Sequence, residues 1–299
     1  MLDKILVPLD GSELSELALP YAEELAGAFN SDVELVYVCE PEESKYRHMH
    51  QLYIEKIAAQ VRIHIRAYPG REAGLAAKVK AVVLDGEAAD EIIDYADKND
   101  ISLIIMVSHG RSGIMPWAMG GTAMKVIQRT DKSVLLARAG CPQADAGKLF
   151  SRILVPLDGS DDGEAPLPYI KEITRKLESE VVLLQVVAPG QHVHTVGGLD
   201  YILFPEDEVE RTIAEARQYL EQAGKELADT KVTLKSEVKT GNAAQEIIDF
   251  ADEANICLVA ISTHEHSGAG RWTLGNVAHK ILQAGHTSVL QVRAPGVKS

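Results

Sequence analysis

The chain is 299 residues long, 46 % hydrophobic and 25 % charged, with a formal net charge of −14. That length suits two ordinary domains, each with enough apolar residues for a core. So acidic a surface repels phosphate backbones and argues against a nucleic-acid partner, and no apolar run approaches the roughly 18 residues of a membrane span.

The opening MLDKI already reads as the edge of a strand, so no signal peptide is expected. In chain order, residues 4–8 form a short strand, continuously apolar after Lys4. Ser12 is placed to cap the helix that follows, where Leu14, Leu17, Ala18, Tyr21 and Leu25 recur at helical spacing. Pro20 falls inside that stretch, and Pro168 inside its later counterpart, which predicts a late helix start or a kink. Residues 33–38 give a second strand, a helix lies within 51–66, and 79–84 give a third strand. Residues 88–98 are a clean amphipathic helix, 101–107 a fourth strand apolar but for Ser102, 118–129 a helix and 133–137 a fifth strand.

The pattern then repeats. ILVPLDGS at 5–12 recurs unchanged at 153–160, and GEAADEIIDYADKNDISLIIM at 86–106 returns at 241–261 with eleven of 21 positions identical. SVLLAR at 133–138 is matched by SVLQVR at 288–293, and the second copy carries a longer middle segment. Three matches in the same order mean a duplicated domain, not a solenoid of short units. Residues 1–140 read as the first domain, the Pro/Gly-bearing stretch 141–150 as a linker, and 151–299 as the second domain. Three scattered cysteines (Cys39, Cys141 and Cys257) with no CxxC pair argue for a reducing cytoplasm and against a disulfide framework or a zinc site.

Continuous apolar strands alternating with helices indicate a parallel sheet covered on both faces. Such sheets bind ligands beyond the C-terminal ends of their strands, where the strand order reverses. The first strand ends at Asp10 and the fourth at Ser108. The loop after the fourth strand, VSHGRSG at 107–113, leads to Gly120, Gly121 and Thr122 at the opening of a helix. Glycines admit close approach of a ligand to the backbone, and amides at a helix start favour anions. The same features also suit a tight strand-to-helix connection with no ligand.

VPLDGS at 7–12, with SHGRSG at 108–113 before a glycine-opened helix, resembles the universal stress protein family, and the likeness covers essentially the whole chain twice. The resemblance implies an α/β fold of two tandem Rossmann-like (adenine nucleotide alpha hydrolase-like) domains. Each would have a five-stranded parallel sheet with helices on both faces. It further implies a cytoplasmic stress-response role, with ATP held in this loop by the pattern glycine, two residues, glycine, nine residues, glycine, then serine or threonine. Magnesium would accompany ATP only. In the first copy the contacts implied are Pro8, Leu9, Asp10, Val38, Met106, Val107, His109, Gly110, Arg111, Ser112, Gly113, Gly120, Gly121 and Thr122. Val107 departs from the first glycine and Gly121 from the hydroxyl, with Thr122 displaced by one. In the second copy the implied contacts are Asp158, His264, Gly268, Gly275 and Asn276, while Ser262, Glu265 and Asn276 all depart from the pattern. A carboxylate at Glu265 would repel phosphates. Asp10 and Asp158 either face the adenine or ribose, as the resemblance implies, or organise the DGS turn unaided. The family's fifth strands commonly pair two domains, so 133–137 and 288–292 are expected to pair within the chain; a further homodimer stays open.

Other constellations point less firmly. His109 and His264 stand beside Ser108 and Thr263 without an acidic partner at a diagnostic spacing, and read as structural. The pairs His48/His50, His192/His194 and His264/His266 would each project to one side of an extended chain, but lack a third ligand, so no metal site is expected. Residues 197–205 are unusually apolar for a loop, fit to cover a pocket, meet a partner or pack on their own domain. Trp117 and Trp272 occupy matching places as core anchors. A P-loop, a GxGxxG turn and a GxSxG elbow are missing. The chain therefore reads as a protein that binds a ligand without turning it over, a weak ATPase aside. The alternative is an interaction protein with both loops degenerate, which binds a protein partner or an apolar small ligand.

Overall fold

The computed structural model describes residues 2–69, 78–108, 120–138, 148–188, 192–196, 199–203, 206–227, 232–263 and 275–294. The first half runs β1 (Lys4–Leu9), α1 (Glu13–Glu16), α2 (Leu19–Phe29), β2 (Asp32–Cys39), α3 (Arg47–Arg66), β3 (Val79–Asp85), α4 (Ala88–Lys98), β4 (Leu103–Val107), α5 (Gly121–Arg129) and β5 (Ser133–Ala137). The second half runs β6 (Arg152–Pro156), α6 (Leu167–Leu177), β7 (Glu180–Val187), β8 (His192–Val196), β9 (Leu199–Leu203), α7 (Glu206–Gly224), β10 (Thr233–Thr240), α8 (Ala243–Glu253), β11 (Leu258–Thr263), α9 (Asn276–Ala284) and β12 (Ser288–Arg293).

Within each half five strands are parallel, in the order β3-β2-β1-β4-β5 and β10-β7-β6-β11-β12. Apolar runs such as LIIMV in β4 sit here because helices cover both sheet faces and leave strand residues no wet side. Alternation along β1 sends Ile5, Val7 and Leu9 to a core under α2 and α3, and Leu6 to the opposite core with α4 and α5. The two halves join where β12 pairs with β5 antiparallel, Leu290 opposite Leu135, giving one ten-stranded sheet. The outer strand β10 presents Lys235 and Glu237 to solvent, charges that discourage edge-to-edge association.

The seam is clasped by two matching arginines. Arg138, just past β5, donates from Nη2 to the Leu282 carbonyl near the end of α9, and its amide donates to Ser288 Oγ at 3.0 Å. Reciprocally, Arg293 donates from Nη2 to the Ile127 carbonyl near the end of α5, and from Nη1 to Thr263 Oγ1 at 3.0 Å. Each cation thus meets the negative end of a helix in the opposite copy. Burial lowers both guanidinium pKa values to about 10, and both stay charged at neutral pH.

Several local expectations are refined. Pro20 and Pro168 do delay their helices: each stands in the first turn of α2 or α6, after a short separate turn (α1, or the 3-10 segment Asp162–Glu164). Ser12 caps only the one-turn α1, accepting from the Ser15 amide at 3.1 Å, and Leu14 stays 43 % exposed. Ser12→Ala is expected to cost about 1 kcal/mol by loss of this cap, measurable as a lower urea midpoint with an unchanged slope. α3 starts at Arg47, earlier than the apolar spacing suggested, so His48 and His50 lie on a helix, where neighbours two apart do not share a face. The apolar stretch expected to be a loop is in part β9, which pairs with β8 as an antiparallel hairpin. His192 and His194 lie on β8. Residues 197, 198, 204 and 205, Cys141, Trp117, Trp272, His264 and His266 lie outside the described residues.

Candidate functional site

β1 pairs with β2 on one side and β4 on the other, so the strand order reverses between β1 and β4. The chain leaves those two strands in opposite directions and opens a crevice beyond their ends. A cavity of about 370 Å³ sits there. It brings together Pro8, Leu9, Asp10, Val38, Met106, Val107, Gly120, Gly121 and Thr122, all the first-copy candidates within the described residues. His109, Gly110, Arg111, Ser112 and Gly113 lie outside them.

The floor is apolar, formed by Val36, Ile92 and Met106, and one wall is the start of α5. Gly120 is the N-cap of α5 and supplies no side-chain cap, so the first-turn amides have no intrahelical acceptor. A Cβ on Gly121 would meet nothing within 4 Å, so this wall has room for a larger residue or a close ligand. The opposite wall carries Tyr37, Glu40 and Glu43, which sequence reasoning missed. They lie far from the glycine loop in sequence and reach the site only because β2 is the neighbour of β1. The rule that ligands sit at strand ends could have found them had it been applied to β2 as well.

Asp10 serves the turn while lining the cavity. Its Oδ1 accepts from the Ser12 amide at 2.9 Å and the Ser12 hydroxyl at 2.6 Å, across Gly11 at φ 81°. Asp158 repeats this with Ser160 at 3.0 and 2.6 Å across Gly159 at φ 87°. A left-handed φ at that position favours glycine, which explains the DGS repeat in physical terms.

The second copy has its own cavity of about 300 Å³ at the ends of β6 and β11, lined by Asp158, Ser262, Thr263, Gly275 and Asn276. His264 and Gly268 lie outside the described residues. Its walls are more apolar, with Leu184, Val186, Ile247, Ile261, Val277 and Ile281. Thr263 Oγ1 is engaged by Gln291 Nε2 and Arg293 Nη1, both at 3.0 Å. The two copies share a frame and differ in what they offer a ligand.

Two doubly wound α/β domains, each with a cavity at its switch point, define a tandem Rossmann-like protein. The chain belongs to the universal stress protein family, whose model matches residues 1–138 and again 149–293. It is similar to the universal stress protein YxiE of Bacillus subtilis, 29 % identical over 150 residues, which are 48 % of this chain and all of that one. It is also similar to the universal stress protein MJ0531 of Methanocaldococcus jannaschii, 27 % identical over 147 residues, 49 % of this chain and 84 % of that one. A universal stress protein of Archaeoglobus fulgidus shares the whole tandem fold, with a TM-score of 0.71 at 18 % identity, covering 99 % of this chain and 100 % of that one. Among the described residues no helix is long and apolar enough to cross a membrane.

Proposed function

We propose that this is a cytosolic stress-response protein that binds an adenine nucleotide in the cavity of its first domain, without turning it over. The observation that carries the reading is the start of α5: Gly120 offers no side-chain cap, and Gly121 and Thr122 line a cavity with an apolar floor. Amides at a helix start suit phosphates, and the floor of Val36, Ile92 and Met106 suits a base. Cys39 and Cys257 are both buried and far apart in the chain, in keeping with a reducing compartment. Domains 1–140 and 151–299 form an internal pair through β5 and β12, and the second domain scaffolds the first.

A second reading concerns the second cavity, whose apolar walls favour an apolar small ligand or partner side chain over a phosphate. The test is calorimetric titration of the full chain with Mg-ATP, alongside chromatography of the nucleotide after long incubation. One site per chain with intact ATP is expected. Two equal sites, or steady ADP release, would overturn the assignment.

A further inference from the structure

We propose that Cys39, Glu43 and His50 form a binding site for a zinc-type divalent cation at the edge of the first cavity. Cys39 ends β2, Glu43 lies on the 3-10 segment Pro41–Tyr46, and His50 is in the first turn of α3. One donor atom from each lies within 4.8 Å of the others. Bonds of about 2.0–2.3 Å hold tetrahedral ligand atoms closer than that, so the site closes by a modest shift. Glu43, 28 % exposed, can make it, while Cys39 is fixed in the sheet.

The surroundings favour a cation. Among the described residues His50 Nε2 is buried with no hydrogen-bond partner, 3.9 Å from Glu43 Oε2. A buried polar atom left in that state costs free energy that a metal bond recovers. The His50 ring is held by stacking on Tyr37, with centroids 4.1 Å apart and planes 15° from parallel. Tyr37 also donates to Glu43 Oε2 at 3.3 Å, so one residue orients two ligands, as outer-shell groups do. Asp85 stands opposite Cys39 in the β2–β3 ladder, paired with Arg47.

Thiolate, imidazole and carboxylate select zinc over magnesium, which prefers oxygen ligands and would travel with ATP. Three protein ligands leave a fourth position open, and Glu43 also lines the cavity. The second copy is an internal control. Strand registers place Ile5 and Ile153 opposite Val33 and Val181, so Val187 stands where Cys39 does, and the site belongs to the first domain alone.

The test uses untagged full-length protein without nucleotide, titrated with Co2+ and then Zn2+, with parallel samples of Cys39→Val, His50→Ala and Glu43→Gln. Wild type is expected to take up one Co2+ per chain, with a sulfur-to-cobalt absorption band that Zn2+ abolishes. Cys39→Val, which installs the second copy's residue, loses the band while keeping the metal-free unfolding midpoint. His50→Ala and Glu43→Gln weaken binding by more than about 10-fold, the lower end for disturbing even an outer-shell partner. No sulfur band in wild type, or binding unchanged by Cys39→Val, would overturn the site. The readout needs no nucleotide, so a failed ATP titration leaves it standing.

Discussion

Arg138→Ala, and equally Arg293→Ala, will lower the stability of the chain by about 2–4 kcal/mol. Each substitution removes a charge-assisted hydrogen bond worth about 1.5–3 kcal/mol and leaves a helix-end carbonyl, Leu282 or Ile127, without that donor. Each also leaves a void in the seam, which adds to the loss. At about 2–4 °C per kcal/mol for a chain of this class, the thermal midpoint should fall by roughly 5–15 °C. The double variant is expected to split one cooperative transition into two, because each arginine belongs to one copy and bonds the other. Arg138→Met separates the causes. It restores most of the volume and spares the protein the desolvation of a buried cation, so part of the loss should return. Full recovery would mean that packing, not the bond to α9, holds the seam; no loss in Arg138→Ala would mean that the arginines do not join the copies. Leu14→Asp, on a side chain 43 % exposed, should change the stability by no more than about 0.5 kcal/mol and serves as the control.

Gly121→Trp will lower nucleotide affinity at least about 100-fold, or about 2.7 kcal/mol. A Cβ at this position meets nothing within 4 Å, so the indole enters the cavity without displacing backbone and occupies the space at the start of α5. Gly121→Ser is the opposite experiment at the same residue. The added hydroxyl supplies the phosphate donor that the family pattern has here, and one further hydrogen bond of about 1 kcal/mol should tighten binding about 5-fold. Asn276→Trp, at the matching place in the second copy, should leave affinity unchanged, because that cavity is assigned no nucleotide. Calorimetry on the three variants decides the matter. Equal affinities for Gly121→Trp and wild type would remove the first cavity from the account.

The frame was legible because burial writes itself into sequence. β5 and α4 have the limits that their apolar patterns indicated, Ser133–Ala137 and Ala88–Lys98. The pattern failed where apolar residues face water: Met49, Leu52 and Ile63 are more than half exposed on α3, which blurs its period. It failed again at β9, where Gly197 and Gly198 read as loop although Leu199–Leu203 pair with β8. At the candidate site, the ends of β1 and β4 were foreseeable from the rule of the switch point. Tyr37, Glu43 and the Cys39–His50 neighbourhood were not, because steps of four and seven residues match no regular ligand repeat and become a cluster only when a strand end, a 3-10 turn and a helix start fold together. Scanning for CxxC or His-x-His finds ligands that neighbours supply, and misses those that only folding assembles.

The central claim is that the first cavity holds an adenine nucleotide. The most direct test is to purify the protein without added nucleotide, denature it, and identify any released small molecule by chromatography and mass spectrometry. The account predicts ATP or ADP at close to one per chain from wild type, and a marked loss from Gly121→Trp. No released nucleotide, together with no heat on titration with Mg-ATP, would contradict it and leave both cavities to other ligands.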